Sequence, residues 1–378
     1  MISRNNNSLK KLILTYNKYY LPLFVKKQGP INNLLWKKGF YLSIFTVSFS
    51  IHAQSNFETI LLVDKTDSKK LMEAYFTPGI EGFISAMNSG WYHTAKVHKP
   101  FGFDLSIGAS GAFIPSEKEV FNIAALNLNT VTTSQTTAST FAGPGSTTLM
   151  TVQTTINGQA VSTDFNFPGG AMEDLPGNLV PAPFVQLNVG LPWKLEAMLR
   201  FVPEISIGDN EGAINLFGMG IKKEITDWFG PLDKTPLHIS LLTAYTTMNV
   251  DYGIGDVTSS NLEVRNGFSR FKLSSFTLQA IASLNFPFVN FYGGIGYNHG
   301  TSSYEMEGTY TGIYETGFLA PNDTLRASLE IPSNLDFKSN GIAATLGTRL
   351  SLGFFKVFGS YTLQEYNTVN LGIAISIR

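Results

Sequence analysis

The chain has 378 residues, 15% of them charged, with 35 glycines, 29 phenylalanines and no cysteine. The charged share lies well below the roughly 25% of an average soluble domain, and the missing cysteine excludes a disulfide framework, a thiol nucleophile and a thiolate metal site. No continuous apolar run reaches the ~20 residues a membrane helix needs, which leaves a β-rich secreted protein or a β-barrel.

Residues 1–53 stand apart. They hold eight Lys or Arg and no Asp or Glu. Lys37-Lys38 precede the apolar stretch Gly39–Ile51, and small Ala53 follows in His52-Ala53-Gln54-Ser55. Basic, apolar, small residue is the layout of a secretory signal peptide, so residues 1–53 are expected to be removed after Ala53. The residues before Lys37 are long for a signal and read as an upstream start, with initiation near Leu34–Trp36. Without the leader the chain keeps 19 basic and 28 acidic residues, about −9. A nucleic-acid partner is not expected, because phosphate binding needs a basic surface.

Residues 54–92 come next and read as a plug or periplasmic segment. Asp67–Tyr75 predicts a short helix, stopped by Thr77-Pro78-Gly79. From Phe101 the period becomes two: Phe101, Phe103, Leu105, Ile107 and Ala109 against Gly102, Asp104, Ser106, Gly108 and Ser110. Strict alternation predicts a strand with one apolar face. The same alternation recurs to the end of the sequence and predicts ten strands: about 95–114, 180–191, 194–208, 212–222, 237–252, 269–286, 289–304, 338–352, 355–366 and 368–378. The strands near 212–222 and 237–252 leave their faces undecided. Elsewhere the apolar faces carry no charge, and a lipid-facing charge costs about 2–4 kcal/mol at mid-bilayer. Strands of a soluble β-sandwich, the minor alternative, usually run about 5–6 residues; these are longer. The expectation is an all-β fold, a transmembrane antiparallel β-barrel of residues 93–378 with about ten strands, or twelve to fourteen if further segments cross.

The connections agree. Leu191–Lys194, Phe286–Phe288 and Leu352–Phe354 are tight and each carries a Trp or Phe, as an interfacial girdle requires. Lys222–Pro236 is longer. The opposite links include the three longest, 115–179, 253–268 and 305–337, expected as external loops. Loop 115–179 is rich in Thr and Ser and reads as an external hairpin or mobile loop. By face, Glu196, Arg200, Glu204, Gln279, Arg349 and Lys356 are candidates for a polar lumen.

The sequence closes on Val369, Leu371, Ile373, Ile375 and Ile377, alternating with Asn370, Gly372, Ala374 and Ser376. Asn370, Gly372, Ile375 and Ile377 fill the places of the C-terminal sorting signal of outer-membrane barrels, which this strand resembles; Arg378 stands where an aromatic is common. The resemblance implies outer-membrane lipid and the barrel-assembly machinery as partners. With the His52-Ala53-Gln54 junction, the chain resembles uncharacterised outer-membrane barrels of Bacteroidota. A looser resemblance is to FadL-like long-chain fatty-acid transporters, whose barrels have fourteen strands behind an N-terminal plug.

Catalytic motifs are not found. His93, His98, His238 and His299 lack metal spacing. His299-Gly300-Thr301 resembles an outer-membrane phospholipase pair, but Thr301 stands where Ser is needed. Gly108–Gly111 is not a nucleophile elbow, and Gly218-Met219-Gly220 lacks the third glycine of a phosphate loop. No cofactor is expected. The chain reads as a non-enzymatic outer-membrane barrel that binds or passes a small ligand; the alternative is a structural or surface-interaction barrel presenting its loops.

Overall fold

The computed structural model describes residues 57–377, apart from 157, 173–174, 208–211, 316–323 and 333–334. The expected leader and its cleavage point lie outside the described residues.

In chain order the strands are β1 (Phe103–Ala112), β2 (Val120–Asn122), β3 (Val131–Thr132), β4 (Thr137–Ser139), β5 (Thr148–Ile156), β6 (Gln159–Phe167), β7 (Val180–Leu191), β8 (Leu195–Ile207), β9 (Gly212–Glu224), β10 (Leu237–Thr258), β11 (Leu262–Asn285), β12 (Val289–Glu315), β13 (Thr324–Ser328), β14 (Leu335–Leu352), β15 (Phe355–Leu363) and β16 (Thr368–Ile377). Among the described residues one α-helix, α1 (Lys65–Asn88), precedes them. Among the described residues, ten strands form a closed antiparallel ring: β1, β7 to β12, and β14 to β16. β16 returns to β1 over the full length of both, Phe103↔Ile377 through Ala112↔Thr368, so the wall keeps no edge there. A sandwich would need two packed sheets; this sheet closes on itself. Among the described residues the ring has ten strands, where the looser resemblance implies fourteen.

Period-two sequence decides which way each side chain points. Outward residues are apolar and bare: Ile342 is 78% exposed, Leu346 74% and Leu371 69%. On β10 the outward set Leu237, Ile239, Leu241, Thr243 and Tyr245 gives way to Thr247 and Asn249. Eight steps of about 3.3 Å at about 40° tilt make a belt about 20 Å tall, the surface of a transmembrane barrel. Short links mark one rim, here the inner rim. Phe101, Trp193, Trp228, Phe229, Phe288 and Phe354 stand exposed along it as an aromatic girdle.

Two expectations about the other rim change. Segment 253–268 is mostly strand: β10 and β11 run past the belt and leave a link of residues 259–261. Segment 305–337 likewise holds the end of β12, paired with β13. These extensions form because Leu262, Val264, Tyr310 and Leu335 turn inward onto a core above the lumen. In loop 115–179, β5 and β6 form an external hairpin that touches β12 at Ser162↔Glu315 and stays out of the ring.

The lumen is filled by residues 57–102. A 3-10 turn (Phe57–Leu62) leads into α1, which buries Leu71, Met72, Tyr75, Ile84 and Met87. The expected stop at Thr77-Pro78-Gly79 does not occur. Proline removes one amide donor and disturbs the ladder, but here the carbonyls around it find partners. The Thr77 hydroxyl donates to Glu73 O at 2.6 Å, and the Phe141 amide donates to Tyr75 O at 2.8 Å. Buried surroundings then hold the helix together to Asn88. β1 also begins later than expected, at Phe103, because residues 95–98 bond to wall side chains instead of a neighbouring strand.

Candidate functional site

Midway along the lumen the C-terminal end of α1 meets Arg200. This side chain is buried on β8, between the rings of Trp91 (4.1 Å) and Phe184 (4.4 Å). Its guanidinium donates to Gln186 Oε1 at 2.9 and 3.1 Å, and to the carbonyls of Met87 and Ser89, each at 3.1 Å. A cation at a helix C-terminus completes carbonyls that lack helical partners and suits the helix dipole. Beyond it the chain turns at Gly90, whose φ is +72° and where a Cβ would meet Asn370 Nδ2 at 2.2 Å. Arg200 therefore anchors the plug to the wall; it does not line an open pore.

At the inner rim the predicted Glu196 and Arg349 join residues that sequence reasoning left scattered. Lys222 Nζ lies 2.6 Å from Glu196 Oε1, and His98 Nδ1 lies 2.7 Å from Glu196 Oε2. Asp104 accepts from Asn188 at 2.7 Å and lies 3.3 Å from His93 and 3.4 Å from His98. Arg349 Nη1 lies 2.9 Å from His93 Nδ1, and Glu224 lies 2.7 Å from His238 Nδ1. The backbone amides of Val97 and His98 donate to Glu224 and Glu196, both at 3.0 Å. Buried charges persist where they are paired and hydrogen-bonded; this network clamps residues 93–98 to four strands. Among the described residues no group of three or more His, Asp or Glu is placed to hold a metal ion.

The outer end of the plug is held by two acids. Asp64 caps α1, accepting from the amides of Thr66 (2.8 Å) and Asp67 (3.2 Å). Asp67 accepts from the amides of Asn129 and Thr130, both at 2.7 Å, and the Thr130 hydroxyl lies 2.9 Å from an oxygen of each acid. Partial burial opposes ionisation of Asp64, yet the bonds from Thr130, Asp67 and Thr66 hold its carboxyl below the ordinary value. A second tie joins Lys118 to Glu81 of α1 (3.1 Å) and to Glu365 (2.5 Å).

Between these ties a vestibule of about 420 Å³ opens outward. Its floor is α1, at Lys70, Glu73, Ala74, Thr77 and Pro78; its opposite wall is Val120, Phe121 and Leu126, with Glu117 and Lys118 beside them. Deeper in the lumen the cavity bounded by Asn88, Tyr92, Gln279 and Asn298 holds only about 10 Å³, space for about one water. At that pocket the plug and the wall leave no room for more.

The remaining predicted residues fall as follows. Gln279 is buried inside the ring and donates to Thr277 Oγ1 at 2.9 Å; Thr277 in turn donates to Asn298 Oδ1 at 2.7 Å. Lys356 points inward near the inner rim and donates to Gly353 O at 3.3 Å. Glu204 is a correction. The β8–β9 register slips between Val202 and Ile205, so Pro203-Glu204 form a bulge, the phase inverts, and Glu204 is exposed. On β16, Asn370 faces inward and donates to Ser110 Oγ at 2.9 Å, while Ile375 and Ile377 join the apolar belt. Gly372 has a packing reason as well: a Cβ there would meet Phe358 Cζ at 2.4 Å.

The profile of a family of unknown function, DUF6588, matches residues 35–377. No curated protein sequence matches the chain. Among solved structures, the chain is similar to the translocator domain of the autotransporter NalP from Neisseria meningitidis, at 11% identity and a TM-score of 0.29, covering 74% of this chain and 90% of that one. It is also similar to Ail, the attachment invasion locus protein of Yersinia pestis, at 9% identity and a TM-score of 0.23, covering 74% and 99%. A BenF-like porin from Pseudomonas fluorescens Pf-5 follows at 9% identity and a TM-score of 0.15, covering 73% and 98%. Likeness at this level says nothing of activity; the hydrogen-bonded ring itself establishes the barrel.

Proposed function

The chain belongs to DUF6588, whose function is unknown, and from its own geometry we propose that it is an outer-membrane barrel that binds a small amphipathic ligand at its outer mouth and passes it inward when the plug yields. The observation that carries this reading is the vestibule whose floor is the plug helix around Pro78. Val120, Phe121, Leu126, Ala74 and Pro78 offer an apolar body site, and Lys70, Glu73, Glu117 and Lys118 offer charges for a polar head. A ligand seated there touches the element that closes the lumen, so binding and opening share one set of residues. The plan resembles the plugged fatty-acid transporters in outline, with ten strands instead of fourteen.

In this proposal the short-turn rim faces the periplasm and the extended rim faces outward, the usual barrel asymmetry. Outer-membrane lipid covers the belt, the leader is removed on export from a Bacteroidota-type cell, and the barrel-assembly machinery reads β16. The protein is taken as a non-enzyme. The test uses protein in nanodiscs, with empty nanodiscs as reference, and dansyl-labelled decanoate as probe. Binding should saturate for the native chain and be lost in Ala74→Trp, which fills the vestibule. Equal binding by both proteins counts against the site.

A second reading, a surface-interaction barrel, is favoured by the strand extensions. Beyond the belt they carry a polar groove of about 530 Å³, with Asn249, Lys272, Thr301, Ser303, Asp336 and Lys338 on its face.

A further inference from the structure

The polar groove on β10, β11, β12 and β14 adjoins the apolar belt directly. The strand register sets their outward residues in rows. Leu278, Tyr297 and Ile342 share one row, and Tyr245 and Phe276 stand in the next. All five are exposed and belong to the belt. One step further from the inner rim the row is Thr247, Ser274, Thr301 and Lys338; after it comes Asn249, Lys272, Ser303 and Asp336. These two rows line the groove of about 530 Å³. The groove therefore begins where the hydrocarbon of a bilayer ends.

Its chemistry narrows the occupant. Two ammonium groups, Lys272 and Lys338, face one carboxylate, Asp336. Lys272 lies 2.7 Å from Glu305, but both side chains are about half exposed, and such a surface pair is weak and readily exchanged. Long flexible stems let both lysines reach a phosphate set over Thr301. A phosphate alone fills little of the groove. The hydroxyls of Ser274 and Thr301, 3.0 Å apart, and those of Thr247 and Ser303 both donate and accept, as sugar hydroxyls do. We propose that the groove binds the phosphorylated sugar headgroup of a membrane glycolipid, whose acyl chains lie along the belt over Phe276, Tyr297 and Ile342. Continuity with the lipid-covered belt selects a lipid over a soluble sugar phosphate, because head and chains then bind one continuous surface. This site is separate from the vestibule and stands without it.

The probe is lipid A, an acylated and phosphorylated glucosamine disaccharide, offered to the folded protein in detergent micelles and read by native mass spectrometry. Phosphatidylglycerol and inorganic phosphate are the comparison ligands. The native chain should retain lipid A in preference to phosphatidylglycerol, and excess inorganic phosphate should not displace it. The double variant Lys272→Gln, Lys338→Gln should weaken lipid A binding roughly thirtyfold, the joint share of two lysines at a charged membrane surface. The double variant Lys194→Gln, Lys223→Gln removes the same charge at the inner rim and should bind as the native chain does. Heat-modifiable gel mobility checks that each variant is folded. Equal loss in both double variants means diffuse charge attraction and overturns the site. Equal retention of lipid A and phosphatidylglycerol overturns the sugar, and displacement by inorganic phosphate overturns the lipid. Lipid A that fails to bind the native chain, or binds the Lys272 and Lys338 double variant unchanged, overturns the proposal and leaves the groove to a protein partner.

Discussion

Arg200→Met should loosen the plug while leaving the wall standing. Methionine replaces the apolar body of the side chain and none of its donors. Met87 O and Ser89 O each lose a bond of 3.1 Å, and Gln186 Oε1 loses bonds of 2.9 and 3.1 Å. A buried acceptor left unpaired costs about 1–3 kcal/mol, so three acceptors set a gross loss of about 3–9 kcal/mol. The stacking on Trp91 and Phe184 adds about 2 kcal/mol or more where it is desolvated. Removing a buried cation returns several kcal/mol of desolvation. The balance is about 3 kcal/mol against docking of the helix end, or roughly a hundredfold in the undocked population. Hydrogen exchange in nanodiscs, read by mass spectrometry, measures this directly. Peptides from residues 79–88 should exchange roughly a hundredfold faster, while β10–β12 peptides keep their protection. Unchanged exchange in α1 with an intact barrel would falsify the assignment of Arg200 as the anchor.

Gly372→Ala should lower folded yield by the overpacking cost of about 1–3 kcal/mol, and Phe358→Leu should restore it if the clash with that ring is the cause. Absence of rescue, measured by heat-modifiable mobility, points to recognition by the assembly machinery instead. Ala280→Arg should cost about 2–4 kcal/mol at mid-belt and Gln279→Arg less; spin labels at 278, 280 and 282 should be quenched by lipid-dissolved oxygen and those at 277, 279 and 283 should not. Because the Asp64 carboxyl titrates below its ordinary value in the folded plug, its stabilising share is complete above about pH 4 and lost as pH falls through the folded value. Protection at residues 65–70, taken relative to the intrinsic exchange rate at each pH, should therefore fall in acid for the native chain, and Asp64→Asn should remove that pH dependence.

The wall was legible because the pleat leaves a period that no tertiary contact overrides. Strands such as β11 carry eleven or more alternating residues, and lipid enforces the phase. Loop ends were less legible: β10–β12 continue past the belt on Val257, Leu262 and Tyr310, whose partner is a core made by distant residues. The plug helix was misjudged at Pro78 because the rescuing donors, Thr77 and the Phe141 amide, act through one local and one remote contact. Glu204 failed through a bulge, which costs one residue of phase. The inner-rim network was illegible for a topological reason. His93, His98, Asp104, Glu196, Lys222 and Arg349 are scattered along the sequence and meet only because the ring returns to its start. Asp104 on a polar strand face, near two histidines, was the one local signal available.

The seam from Phe103↔Ile377 to Ala112↔Thr368 also sets an order of events during folding. It joins the two most distant strands of the ring, so its loop-closure entropy and contact order are the largest in the wall. A helix about 10–12 Å across with its side chains fills this narrow bore and makes contacts on most sides, so the wall must wrap around it before the seam zips. Among the described elements the plug precedes every strand of the ring and β16 follows them all. The plug therefore serves as an internal mandrel, and the slow step is the closing of β16 onto β1 around it.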